Sequence, residues 1–397
     1  MRALRLTGLV LVITIITLGV LEGGLRLMAP RLGGQVGIIA RTITTGSPYP
    51  ESWTPAWQDS RDHRYTLRPG LQDVLQYGSA SVSFQLTTHK LWDDGLPADE
   101  GIGFRTQPVD FGVDAVVVGD SFGFCFTEQR DCWVDHLAQD YSLGIVNLST
   151  PVTGSLSHAR MLADFGAPLT PPLVIWQFFG NDFNDDYGLL EWRGDIEAIP
   201  DSLSSLPEVE APYLSSTFVT AALIEYLLTG RWSALPDNER DFTAQATVMV
   251  EGRPLSIGKP YELKALNMAR PANQFGATQT MQALEEAKSR VEAWGGTLVV
   301  VMIPTREEVY ARWVEPVLST AGLNALRSAR EEMNGLCLSI DLMCLDATEG
   351  LTQRAESGAW LYYSDDMHLN ADGNFALSEI LGGWLEGLNL ITRKGDN

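Results

Sequence analysis

The chain has 397 residues, a length for one large domain or two ordinary ones. Hydrophobic residues make up 45% and charged residues 20%, a composition that builds a packed core and excludes global disorder. The formal charge of -22 argues against a nucleic-acid partner, since phosphate binding rests on Lys and Arg, and against docking on an anionic membrane surface.

At the N-terminus, Arg2 and Arg5 precede an uncharged run over residues 6–21. No A-x-A-like cleavage site follows, and the early arginines favour a cytoplasmic N-terminus. The expectation is a signal anchor over residues 1–30, with the rest of the chain membrane-anchored and extracytoplasmic, at the cell surface or in the periplasm. The run is short of the roughly 20 residues of an ideal spanning helix, so a cleaved signal peptide and a buried helix are the alternatives. Residues 31–60, rich in Gly, Pro, Ser and Thr, are expected to form a stalk with little regular structure. The main domain is then 61–397. It opens with YTLRPGLQDVLQYG and ASVSFQLTTH, which read as short strands about a turn.

From about residue 114 compact β-branched runs appear: DAVVVGD, GIVNLS, PPLVIWQFFGND and GTLVVVMIP. Each has the texture of a buried parallel strand. Segments of helical length separate them: CWVDHLAQDY, SHARMLADFG and TQTMQALEEAKSRVEAWGG. The last puts Met281, Leu284, Ala287, Val291 and Trp294 on one face and ends in glycines. GNFALSEILGGWLEGL supplies a final helix. The alternation predicts an α/β fold, a parallel sheet covered on both faces. An insertion at about 187–275 breaks it, with a helical patch (STFVTAALIEYLL), a polar stretch and hairpin-like text (QATVMVEGRPLSIG). It is expected to form a cap or side wall.

The four cysteines form two equally spaced couples, Cys125 with Cys132 and Cys337 with Cys344. Local disulfides within each couple suit an exported protein; four buried thiols are the alternative. No C-x-x-C spacing suggests zinc.

Ligands of parallel sheets sit outside the carboxyl ends of the strands. Four features fall there. Ser121, in VVVGDSFGFCF, ends a strand and opens a helix, whose unpaired N–H groups favour an oxyanion. Gly154, in VNLSTPVTGS, lets a backbone N–H approach a substrate. Asn181, in FFGND, carries an amide donor. In YYSDDMHLN, His368 has Asp365 three residues earlier, able to hold Nδ1–H and leave Nε2 free for a serine proton, with Asp366 as a rival. Singly each has an ordinary reading: a helix cap, loop residues, a surface histidine. NDFNDD has the opening spacing of a calcium loop, but Tyr187 stands where Gly is needed and Arg193 where Glu is needed. Trp176, Phe178, Phe179, Trp192, Tyr362 and Tyr363 are either core or the lining of a sugar or acyl pocket.

Taken in order, the Ser, Gly, Asn and Asp/His blocks resemble the SGNH hydrolase superfamily, the GDSL esterases and lipases, over roughly residues 112–188 and 276–388. Two departures stand out: Phe179 where the third block has glycine, and a lone glycine for the second block. The resemblance implies a three-layer α/β/α sandwich of flavodoxin-like type. It implies Ser121 as nucleophile, Asp365 and His368 as its partners, and an oxyanion hole of Ser121, Gly154 and Asn181. It implies no cofactor and no metal. The reaction it implies is removal of acyl groups, acetyl foremost, from an extracytoplasmic carbohydrate or lipid. The membrane, through the N-terminal helix, and polysaccharide-export machinery are the expected partners. Two alternatives use the same residues: an O-acetyltransferase for an exported polysaccharide, and a silent glycan-binding module.

Overall fold

The computed structural model describes residues 2–32, 34–45, 57–77, 82–106, 112–200, 213–229, 232 and 244–393. Five strands build one parallel sheet: β1 (Ala115–Val118), β2 (Ile145–Asn147), β3 (Leu173–Phe178), β4 (Thr297–Met302) and β5 (Met343–Asp346). All four residues of β1 and all six of β3 are buried, as the β-branched and aromatic runs require of strands covered on both faces.

The strand order is β5-β4-β3-β1-β2. In chain terms this is the doubly wound 2-1-3-4-5 order, whose direction reverses between β1 and β3 and leaves a crevice at their carboxyl ends.

Helices form two outer layers, giving the three-layer sandwich. Leaving aside the five-residue Tyr213–Thr217, the α-helices of the described residues in chain order are α1 (Arg2–Met28), α2 (Gly34–Thr45), α3 (Ser121–Phe124), α4 (Trp133–Tyr141), α5 (Ser155–Met161), α6 (Asp182–Arg193), α7 (Val219–Thr229), α8 (Pro260–Ala265), α9 (Pro271–Ala293), α10 (Arg306–Val309), α11 (Ala311–Ser339), α12 (Thr348–Glu356) and α13 (Ala371–Gly387). Helices α5, α6 and α9 pack together in one layer, and α4, α12 and α13 in the other. Leu284, Ala287 and Val291 of α9 are buried, as their spacing predicts. The short β5 and the long α11 were not foreseen: MCLD is too brief to read as a strand, and α11 carries Pro316.

Three antiparallel hairpins decorate the sandwich: Trp57–Ser60 with Arg64–Leu67, Gln72–Tyr77 with Val82–Thr87, and Ala246–Val250 with Arg253–Ile257. The third lies in the insertion. That insertion begins later than its sequence suggests. Helix α6 runs on to Arg193 and stops at Gly194, whose φ of 76° suits glycine.

Helix α1 is long and apolar enough to cross a membrane, a test that a signal sequence also passes. Its far end is clamped to α7. Glu22 accepts from the Val219 and Thr220 N–H groups at 3.0 and 2.9 Å, and Arg26 donates to the Thr217 carbonyl. The expectation of an irregular stalk needs correction over residues 34–45, which form α2. Ile39 and Ala40 are buried there against Ala222 and Val219 of α7. Packing against α7, distant in sequence, overrides a Gly- and Thr-rich composition. The part of the expected stalk at 46–56 lies outside the described residues.

Candidate active site

The end of β1 makes a tight elbow. Asp120 is the helix cap, its carboxylate accepting the Phe122 N–H at 2.8 Å. Ser121 is therefore the first residue of α3 and its side chain is not used for capping. Gln177 of β3 holds the elbow from beneath. Its Oε1 accepts from the Asp120 and Gly123 N–H groups at 3.0 and 2.9 Å. A Cβ on Gly119 would lie 2.4 Å from that oxygen, so only glycine lets the turn close on it. Sequence reasoning missed Gln177, although it is the lone polar residue in an otherwise apolar strand, and a buried amide there has to be bonded to something.

Beyond the elbow, Arg105 threads under the loop and donates to the carbonyls of Phe124, Cys125 and Thr127. Burial lowers this guanidinium to about 10, opposed by Asp135 and Glu128. The structure joins Cys125 to Cys132, fastening the same loop to the start of α4, and Cys337 to Cys344 between α11 and β5.

His368 arrives from the far end of the chain, on the loop before α13. Its Nε2 lies 2.7 Å from Ser121 Oγ, and both residues are buried. The rings of Phe126 and Phe122 flank it at 4.3 and 4.9 Å and hold its plane. The carboxylate on Nδ1 is Asp366, at 2.5 Å, and this corrects the expectation of Asp365. The reason is local. Asp366 Oδ1 also accepts the His368 backbone N–H at 3.0 Å, a tight Asx turn that brings residues i and i+2 together. Asp365 instead offers its backbone carbonyl to Lys259 Nζ at 2.6 Å. Burial acts to raise Asp366. The His368 ring, its hydrogen bonds and the Lys259 ammonium outweigh that and hold the carboxyl well below the usual range.

Gly154 packs against the first turn of α6, the helix that follows Asn181. Asn181 occupies the N-cap position of that helix without a side-chain cap bond and donates from Nδ2 to Asp185 at 2.9 Å, with the Tyr261 hydroxyl at 3.4 Å. A Cβ on Gly154 would lie 2.5 Å from the Asp182 carbonyl and from Asp186 Oδ1. The loop after β2 is thus pressed against the loop after β3. Asp120, beside Ser121, feels the charge of Asp185 and acts on that of Asp182, so the loop after β1 joins the other two.

Arg64 acts on Asp185 and His158 Nδ1 lies 3.7 Å from Asp182, but among the described residues no Lys or Arg makes an ion pair with these acids. Burial raises Asp120 to about 7, Asp185 to about 6 and Asp186 to about 8. It raises Asp182 well above its ordinary value, helped by Asp120, Asp186 and Asp185. The NDFNDD residues are turned to separate partners. Asp186 accepts from the Leu156 N–H and the Thr280 hydroxyl, and Asn184 accepts from Arg270. Among the described residues, no group of three or more His, Cys, Asp or Glu is arranged to hold a metal.

Of the six aromatic candidates, Trp176, Phe178, Phe179 and Tyr362 are fully buried core. Phe179, in the place where the family motif has glycine, lies 4.3 Å from the Phe122 ring and so backs the elbow. Tyr363 donates its hydroxyl to the Phe126 carbonyl. Trp192 is exposed, with the Arg64 guanidinium 4.8 Å above its ring.

No protein-family model matches the sequence, and no curated protein matches it. Solved structures similar to the chain include TesA, at 14% identity and a TM-score of 0.36, over 69% of this chain and 98% of that one. Another is a putative lipolytic protein of the G-D-S-L family from Desulfitobacterium hafniense, at 14% identity and a TM-score of 0.34, over 68% and 98%. A third is the acetyl xylan esterase AlAXEase, at 8% identity and a TM-score of 0.36, over 68% and 99%. Hydrolases of the G-D-S-L kind are what this chain is similar to.

Proposed function

We propose that the chain is a serine esterase of the SGNH type, acting on a short acyl ester, acetyl foremost, carried by a carbohydrate or lipid outside the cytoplasm. The observation that carries this reading is the hydrogen-bonded series Ser121 Oγ, His368 Nε2, His368 Nδ1, Asp366 Oδ1. A nucleophile, a base and an orienter for the base stand in register, in a crevice where an α/β sheet offers a ligand site.

In this reading His368 Nε2 takes the Ser121 proton as Oγ attacks the acyl carbonyl, and Asp366 steadies the imidazolium that forms. The carbonyl electrons move to oxygen. That oxyanion faces the start of α3, where the Ser121 N–H is one of the unpaired donors of a helix start, with Gly154 N–H and Asn181 Nδ2 as the further donors. Asp185 fixes the Asn181 amide through one N–H, and the other gives up its long 3.4 Å contact with the Tyr261 hydroxyl for the oxyanion. Collapse of the tetrahedral species expels the alcohol, which receives the proton from His368. Water, deprotonated by the same nitrogen, then releases the acid and restores Oγ–H. The near-complete burial of Ser121 and the aromatic walls of Phe122 and Phe126 favour a small acyl group. Two disulfides suit an oxidising compartment, and α1 suits a membrane anchor on its way there.

The test is p-nitrophenyl acetate turnover by the full chain in detergent, wild type beside Ser121→Ala. Steady turnover should fall by at least about 10³-fold in the variant. Equal turnover in the two would reject the esterase.

A further inference from the structure

The inserted segment reaches the loop that carries His368. Its hairpin Ala246–Val250/Arg253–Ile257 runs directly onto the loop that carries the base: the Ser256 N–H donates to the Ser364 carbonyl at 2.7 Å. Two residues on, the Gly258 N–H donates to Glu307 at 3.2 Å. Lys259 follows, buried, with Nζ 2.6 Å from the Asp365 carbonyl. The ammonium is thus seated under the Asx turn that presents Asp366 to His368.

We infer that Lys259 is a positioning residue for the Ser121–His368 pair: its hydrogen bond fixes the Asp365–Asp366 turn, and its charge limits how strongly Asp366 retains a proton on His368. The inference rests on the esterase reading for its catalytic consequence. Its electrostatic part does not.

The surroundings give the ammonium a defined task. Arg306 is buried between Glu262, at 3.1 Å, and Glu307, at 3.5 Å. Those two glutamates are therefore shared with a second cation. Lys259 is left to face Asp366 and the Asp365 carbonyl, with Tyr363 on the same loop. On the far side of His368 stand Ser121 and, behind it, Asp120. Burial and Arg306 lower Lys259, and Asp366, Glu262 and Asp365 oppose them. A neutral side chain at 259 leaves Asp366 less compensated. Imidazolium is then favoured, and a base that must be free to take the serine proton is occupied at higher pH.

The experiment is NMR of the full chain in detergent with ring-labelled histidine, His368 being assigned by its loss in His368→Gln. In Lys259→Met the pH midpoint of the His368 ring should lie about one unit above that of the wild type, the effect of removing one nearby charge. Lys259→Gln keeps an N–H donor for the Asp365 carbonyl. It should show the same upward displacement with a smaller loss of ester turnover than the ~10- to 100-fold expected of Met. Lys259→Arg should return the midpoint to the wild-type value. Should the Met variant not fold, the Gln and Arg pair carries the comparison. An unmoved midpoint in the neutral variants, or one that Arg moves as far as Gln, overturns the inference. The turnover of wild type against Ser121→Ala is read separately, so failure of the esterase is distinguishable from failure of the Lys259 assignment.

Discussion

Buried acids lie on both sides of Ser121, and the two groups behave differently. On the α6 side, burial raises Asp120, Asp182, Asp185 and Asp186, and neighbouring acids add to the rise of all but Asp185. Near neutral pH burial favours the uncharged carboxyl form of Asp182 and Asp186, which serve as hydrogen-bonding partners under the Asn181 loop. On the α10 side, Lys259 and Arg306 stand among Asp366, Glu262 and Glu307. There Asp366 stays ionised. Burial and Glu307 still push Glu262 up to about 8, against the charge of Arg306. The same residue type thus supplies a neutral scaffold on one side and a fixed negative charge on the other. The cations make the difference.

The sharpest way to break this comparison is to neutralise the ionised acid. Asp366→Asn should lower kcat for p-nitrophenyl acetate by about 10³–10⁴-fold, because the amide presents the wrong partner to Nδ1–H. Asp365→Asn should lose less than about tenfold, since it is the backbone of Asp365 that Lys259 uses. Equal losses would return the orienting role to Asp365. Next in size is the cation. Arg306→Met leaves Glu307 buried without its partner and should cost about 3–5 kcal/mol in urea unfolding. A cost under about 1 kcal/mol would mean that the glutamates are already neutral and that the two sides do not differ.

The smallest effect concerns the neutral scaffold. Because the folded value of Asp186 is raised to about 8, the native chain holds a proton that the unfolded chain releases above about pH 4, and stability falls as pH rises through that window. Asp186→Asn removes this contribution. Its unfolding free energy should decline less steeply between about pH 4 and 8 than that of the wild type, with a gain of about 1 kcal/mol at the upper end. Asp366 has the opposite sign. Its depressed value contributes stability above about pH 4 that is lost as pH falls. A parallel slope in the two proteins would remove Asp186 from the scaffold.

Much of the architecture was legible because it is written in local texture. Buried parallel strands need unbroken β-branched runs, and DAVVV, LVIWQF and TLVVVM stand out from their surroundings. The Ser121–His368 pair was legible for a related reason: one follows such a run and the other sits in a short polar motif of its own. The ordering of Asp365 and Asp366 was not legible. Both are within reach of the ring in an unfolded loop, and an Asx turn of two residues decides between them. Gln177 was visible as a polar residue in an apolar strand, yet its partners, the Asp120 and Gly123 N–H groups, are more than 50 residues away. The helix over 34–45 was hidden because its composition is poor for a helix, and only its contact with α7 makes it one.

The sequence by itself determined the α/β class, the strand ends where chemistry can sit and the residue types able to perform it, because period, turn residues and motif spacing are properties of neighbours along the chain. The tertiary structure alone decided which carboxylate holds His368, which acids are charged and that an inserted hairpin delivers Lys259 beneath the base. Burial and charge compensation depend on residues brought together from 44 to 247 positions apart, such as Arg306 with Glu262 and His368 with Ser121, and no local pattern records them.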